Sequence, residues 1–237
     1  MESSGEDLWF FRYYRQRLAN LEALRSLPAP SSTPGFPGSF LPEQFLLVTA
    51  GLESLATHWG ALYQIAIPKS RFSKSAERLG RFLVEHGDVA IFSRCSMPDL
   101  FRRAAKEPTK DALIAALCQV PSAINPPASR RRWQDDPALD ALAAQPAIVS
   151  AGIHSAWLRQ SRYGEILYKE FRCNWVHELD GPGTRPTLFQ APENEPRYDN
   201  LEKAPTLVFP LEFLKITYAA VLSSFAARCF SDGKSIP

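Results

Sequence analysis

Tyr163-Gly164-Glu165-Ile166-Leu167-Tyr168-Lys169-Glu170-Phe171-Arg172-Cys173-Asn174-Trp175-Val176-His177 is the stretch that decides the fold class. Tyr163, Leu167, Phe171 and Trp175 stand four residues apart, so on a helix they form one ridge. Ile153, Trp157, Ile166 and Val176 widen that ridge. The pattern predicts one long helix over 150–179 whose ridge is core or dimer interface. Asp180-Gly181-Pro182-Gly183 then breaks it.

The same helical period extends outward in both directions. Over 7–27, Leu8, Phe11, Tyr14, Leu18, Leu21, Leu24 and Leu27 recur at spacings of three and four. A Pro-rich linker or ordered loop follows at 28–42. The next helix is predicted over 42–63, with Pro42 in its first turn and Phe45, Leu46, Val48, Leu52, Leu55, Ala56 and Trp59 on its apolar face. Another spans 70–86 and stops at Gly87. Shorter helices are predicted over 98–105, 109–120 and 137–144, the last after an irregular stretch at 121–137. Apolar runs at 186–190 and 206–209 flank a polar segment and suggest a small β-hairpin. A closing helix covers 210–230. The expected fold is all-α, one domain, with the hairpin inserted before the C-terminal helix.

Composition agrees with a globule that buries a sizeable core: 237 residues, 45% hydrophobic and 22% charged. The net charge of +2 gives no global basic field, so any nucleic-acid contact must come from a local patch. Met1-Glu2-Ser3-Ser4-Gly5-Glu6-Asp7 lacks the basic end and apolar core of a signal peptide. The most hydrophobic stretch, 209–230, is interrupted by Glu212, Lys215 and Arg228 and reads as a buried helix rather than a membrane span. Cys95, Cys118, Cys173 and Cys229 have no metal-ligand spacing and read as reduced thiols. The expectation is a cytoplasmic protein without metal or cofactor.

Arg172 and His177 join two chemistries. An arginine is a permanent cation whose fork of donors fits a phosphate. A histidine gives and takes protons near neutral pH. Together they suffice to cleave RNA, whose ribose 2′-OH is a built-in nucleophile. The bland alternative pairs Arg172 with Glu170 or Glu178 on a solvated face and sets His177 against the free carbonyls of a helix end. On an ideal helix the five-residue step turns ~140°, so the two side chains do not share one face. Either the helix is distorted near Cys173-Asn174, or the pair works across a dimer cleft.

Arg172, four intervening residues and His177 resemble the motif of the HEPN family, together with the aromatic helix before the arginine and Glu178-Leu179 after the histidine. The Pro-led helix starting Pro210-Leu211-Glu212-Phe213-Leu214 after a hairpin is similar to family members found beside prokaryotic defence systems. The resemblance covers about 41–230. It implies a helical bundle, a homodimer with two motifs facing a shared cleft, and a metal-independent endoribonuclease used as a toxin or antiviral effector. Arg172 would hold phosphate and His177 would act as acid and base; Asn174 either orients His177 or a phosphate, or is a plain polar helix position. Cys173 departs from the Asn, Asp or His that follows the arginine in many active members. The alternative within the family is a non-catalytic nucleotide- or RNA-binding subunit of a defence or toxin–antitoxin complex, with an antitoxin or defence protein as partner.

Glu53 is a candidate for orienting Arg172, or a surface glutamate. Arg130-Arg131-Arg132-Trp133 combines three cations with an aromatic, as single-stranded RNA binders do. A charge run in a loop also reads as solvated surface, the more so with Asp135-Asp136 beside it. His58 and Trp59 read as packing residues, and His86 and His154 as residues near helix ends.

Overall fold

A computed structural model describes residues 5–26, 41–67, 74–121, 131–169, 194–199, 205–234 and 236. The protein is mostly helical, with a small antiparallel sheet among the described residues. Four helices build the larger core: α1 (Gly5–Ser26), α2 (Leu41–Leu62), α3 (Lys74–His86) and a C-terminal helix (Leu211–Ser231). In α2, Phe45, Val48, Leu52, Leu55, Ala56 and Trp59 are buried, which is the predicted face apart from half-buried Leu46. In α3 the buried stripe is Ala76, Leu79, Phe82 and Leu83, and the Gly87 amide donates to the Leu83 carbonyl at 3.0 Å to end the helix. Phe11 of α1 meets Phe225 edge to face, while Glu22 reaches Lys215 at 2.7 Å. The first and last helices are therefore antiparallel neighbours.

A smaller core lies between α3 and the end of the chain's middle third. It follows α4 (Val89–Phe92), whose Ile91 and Phe92 belong to the larger core, and is built from α5 (Met97–Ala104), α6 (Lys110–Cys118), α7 (Leu139–Ala143), α8 (Pro146–Ser150) and α9 (Ser155–Arg159). Met97, Leu100, Ala104, Leu117, Leu142, Ile148 and Leu158 fill it, with α4 facing the larger core through Phe92. The periodicity does not foretell α4 or α8. Each is one turn long; Asp88 caps α4 by accepting from the Ala90 amide at 2.8 Å, and Pro146 starts α8.

The single helix expected over 150–179 is not formed. Its first half is α9 and α10 (Tyr163–Ile166), separated by an extended turn at 160–162. The cause is a distant backbone. Residues 94–96 are extended, and the segment 93–96 takes partners on both edges: Ser96 donates to the Ser161 carbonyl at 2.8 Å and Tyr163 to the Arg94 carbonyl at 3.0 Å, while Cys95 donates to Pro137 at 2.9 Å and Leu139 to Ser93 at 2.8 Å. These bonds replace helical ones. Leu167–Lys169 continue in π-helical form, and residues 170–193 lie outside the described set, as do 27–40 and the predicted strand at 186–190.

The hairpin's second strand is as expected, its first is not. β1 (Arg197–Asp199) pairs antiparallel with β2 (Thr206–Val208) in the register Arg197 to Val208, Tyr198 to Leu207 and Asp199 to Thr206. Tyr198, drawn from a polar segment, is the buried residue that makes β1 a strand. β2 leads into the C-terminal helix, now α11 (Leu211–Ser231). By length and hydropathy α11 would cross a membrane, yet 56% of its most apolar window is buried inside the protein. Its buried Lys215 is matched by Glu22 and by Glu212, the latter at 3.3 Å.

Candidate functional site

The two cores meet across a seam of buried polar side chains. At its centre is Asp136, which the sequence suggested as part of a solvated charge run. It is 1% exposed. Its Oδ1 accepts from Arg131 Nη1 at 2.8 Å and from the Met97 amide at 3.2 Å. Its Oδ2 accepts from the Tyr163 hydroxyl at 2.7 Å and from the Tyr198 hydroxyl. Tyr198 also contacts Ser96 Oγ at 2.8 Å, the same oxygen that caps α5. One carboxylate thus ties the start of α5, the 131–136 turn, α10 and β1 together. Burial raises the Asp136 carboxyl, and the Tyr198, Tyr163 and Arg131 donors oppose that rise. Burial and the neighbouring carboxylate push both tyrosines well above their ordinary range, so they remain donors.

A second ionic layer lies where α10 crosses α3. Arg162 grips Glu165 through two bonds, Nε to Oε2 at 2.8 Å and Nη2 to Oε1 at 2.5 Å, both side chains being buried. Glu77 accepts from Arg81 at 2.6 Å and Arg159 at 2.9 Å. The helices approach closely because Gly80 faces Gly164: a Cβ on Gly164 would stand 2.6 Å from the Gly80 Cα. Burial raises the Glu165 carboxyl above its ordinary range, with Arg162 opposing.

Over the first seam opens a cleft of 570 Å³, a size in the range ligand pockets occupy, ~300–1,000 Å³. One wall is the turn Arg131-Arg132-Trp133-Gln134, the other the segment Asn194-Glu195-Pro196 and the start of β1, Arg197-Tyr198. The sequence grouped the first wall and missed the second. Residues 133–135 form a 3₁₀ turn (Trp133–Asp135), with Asp135 accepting from the Arg132 amide at 2.6 Å. Trp133 Nε1 donates to Glu195 Oε2 at 2.7 Å, and the Arg94 guanidinium lies 5.2 Å from the Trp133 ring centroid. The indole is thereby fixed in plane and orientation. Gln134 Nε2 donates to the same Glu195 oxygen at 3.4 Å. The signal that would have found Glu195 is the need of a part-buried indole N–H for an acceptor.

The three clustered arginines part company. Arg131 is buried and its charge is matched by Asp136. Arg132 is exposed at the cleft, and Arg130 lies outside the described residues. Arg197 adds a cation from β1, and Glu195 an anion. Chemically the cleft offers cations, a fixed aromatic ring, amide groups at Gln134 and Asn194, and one carboxylate acceptor. That set suits an anionic ligand with a planar, hydrogen-bonding part.

Arg172, Cys173, Asn174, His177 and Glu178 lie outside the described residues. Glu53 sits in mid-α2, half-buried, where its carbonyl accepts from Thr57 Oγ1 at 2.9 Å. Trp59 is core, and His58 packs edge-on against Phe10 at 5.0 Å. His86 is buried among Trp59, Phe82 and Phe225, with Nδ1 3.1 Å from Ser224 Oγ. His154 is exposed at the start of α9. Cys95 and Cys229 are buried thiols and Cys118 an exposed one, none of the three in a disulfide. Among the described residues no group of three or more His, Cys, Asp or Glu side chains is placed to hold a metal ion. No family model matches the chain, and no curated protein or solved structure is detectably similar to it.

Proposed function

We propose that this protein binds single-stranded RNA in the cleft between residues 131–134 and 194–198, and that it is a metal-independent endoribonuclease of HEPN type. The observation that carries the binding reading is the pairing of Arg132 and Arg197 with the fixed Trp133 ring in one cleft. Cations follow a phosphate backbone and an aromatic face takes a base, irrespective of sequence. Glu195 accepts from a base amino group in the way carboxylates read exocyclic amines.

The cleavage reading rests on the sequence Arg172 to His177 and on the helical fold class. His177 would accept the 2′-OH proton, the 2′-oxygen would attack the adjacent phosphorus, and the P–O5′ bond would break. A 2′,3′-cyclic phosphate and a 5′-hydroxyl result. A second His177, from a dimer partner, would protonate the leaving 5′-oxygen, while Arg172 would neutralise charge on the phosphate. A toxin or antiviral role fits such an activity. Cys173 beside the motif arginine favours a second reading: a non-catalytic RNA- or nucleotide-binding subunit of a defence or toxin–antitoxin complex.

One experiment separates these readings. The protein is incubated with single-stranded RNA in EDTA, and binding and cleavage are measured together. Cleavage that His177→Ala abolishes, with binding retained, supports the nuclease. Binding without cleavage leaves the non-catalytic subunit. Absence of binding, or binding unaffected by Arg132→Ala, overturns the cleft as the RNA site.

A further inference from the structure

One surface of α1 is built unlike the outside of an ordinary amphipathic helix. Trp9 is 67% exposed and Tyr13 43%. Their rings are stacked, 5.7 Å apart and 17° from parallel. Arg17 extends the row: its guanidinium is 5.5 Å from the Tyr13 centroid and Nη1 donates to the Tyr13 hydroxyl at 2.9 Å. Positions 9, 13 and 17 are spaced by four, so the three groups climb one face as a ladder. Arg12, Gln16 and Asn20 share that exposed face, and exposed Arg15 borders it. The sequence from Leu8 to Leu21 has no acidic residue.

The core does not require this arrangement. Phe10, Phe11, Tyr14 and Leu21 bury the opposite side against α2 and α11. Three arginines with no acid between Leu8 and Leu21 select a polyanion, and the exposed Trp9 ring, backed by Tyr13 and Arg17, selects a planar group. A phosphate-linked chain of unpaired bases offers both at once. Duplexes keep their bases stacked inside, out of reach of a flat aromatic ladder. A lipid surface would match the arginines, but Gln16 and Asn20, hydrogen-bonded to each other at 3.1 Å, lie in the middle of the same face where apolar residues would be needed.

We propose that the Trp9–Tyr13–Arg17 face of α1 is a second contact for single-stranded RNA, a stacking platform for a strand longer than the cleft holds. The proposal rests on RNA being the ligand of the protein. α1 runs antiparallel to α11, whose N-terminus follows the hairpin that walls the cleft. The Trp9 end is therefore separated from the hairpin by most of the length of α11, on the order of 30 Å. A short oligonucleotide reaches one site and a long one both.

The test uses the full chain carrying His177→Ala, so that RNA stays intact, and oligouridine of about 4 and about 20 nucleotides, the two ends of single-strand site sizes. Replacing Trp9 and Tyr13 by Ala should weaken the long RNA about tenfold and leave the short one unchanged. Arg12→Gln with Arg15→Gln should flatten the salt dependence for the long RNA alone, by a slope of about 1.4. Both sites are exposed, so circular dichroism and melting should match the parent. Long-RNA affinity unchanged in the α1 variants, with both lengths weakened by Arg132→Ala, overturns the platform and leaves the cleft. Long-RNA binding lost in the α1 variants, with no effect of Arg132→Ala, upholds the platform and overturns the cleft. Trp9-dependent binding to phosphatidylserine vesicles with RNA affinity unmoved overturns it in favour of a membrane surface.

Discussion

Arg131 Nη1 stands 2.8 Å from Asp136 Oδ1, and neither side chain is more than 3% exposed. A buried pair of this kind stabilises little over an apolar pair, but breaking it strands a charge. Asp136→Ala should therefore cost about 3–5 kcal/mol, measured by denaturant unfolding. In the double variant with Arg131→Ala the loss should be smaller than the sum of the single losses. Strict additivity would mean that the two residues do not act as a pair.

Tyr198→Phe removes one hydroxyl from the same carboxylate and from Ser96. The expected loss is about 1–3 kcal/mol, because a buried acceptor is left short of a donor. Since Tyr198 also lines the cleft, RNA affinity and stability should fall together. An unchanged unfolding midpoint would remove Tyr198 from the seam.

The sequence made most of the helical frame legible. In α2, α3 and α11 the apolar spacing is set by local burial, and periodicity reads it directly. It misled over 150–179, because Tyr163 and Leu167 keep their four-residue spacing across the region while the backbone at 161–163 answers to residues 94–96. No local window contains that partner. β1 was hidden for a related reason: Tyr198 is buried for its hydroxyl as much as for its ring. At the site, Arg131-Arg132-Trp133 was visible as a cluster, but the fate of each charge depended on Asp136 and Glu195, which only the tertiary fold assigns. The seam residue Asp136 looked like solvated surface because its neighbours Asp135 and Arg132 are not buried.

Gly164→Ala would force a methyl against the Gly80 backbone, and Gly80→Ala would drive one into the Glu165 carboxyl. Overpacking of this kind costs about 1–3 kcal/mol. Each variant should lower the melting temperature, while Gly152→Ala, with open space around it, should act only through its left-handed backbone, φ 64°. Equal melting of Gly164→Ala and the parent would show that α3 and α10 separate freely.

His86 supplies a pH signature. Burial, with the Arg228 charge adding to it, lowers its pKa from the ordinary 6.5 to about 4. Between those values the unfolded chain binds a proton that the folded protein refuses. Stability therefore falls as pH drops from about 6.5 to about 4, and the loss is complete below the folded value. His86→Gln should lose that part of the pH dependence, whatever its own cost. An identical pH slope in parent and variant would locate the titration elsewhere.

Arg172→Ala and His177→Ala should each abolish RNA cleavage with unfolding shifted by no more than about 0.5 kcal/mol. RNA methylated on its 2′-oxygens should bind and resist cutting. Loss of folding in both variants would assign the pair a structural role.

The antiparallel pairing of α1 with α11 has a consequence during synthesis. Glu22 and Lys215, and Phe11 and Phe225, are among the stitches between α1 and α11. While the ribosome is still making the middle of the protein, α1 and α2 must hold out apolar faces whose cover has not yet been translated. Contacts of such long sequence separation form slowly, and the waiting surface is open to aggregation. A chain released before residue 211 would lack the centre of its larger core, so premature termination should yield a chaperone client or a proteolysed fragment instead of a shorter folded protein.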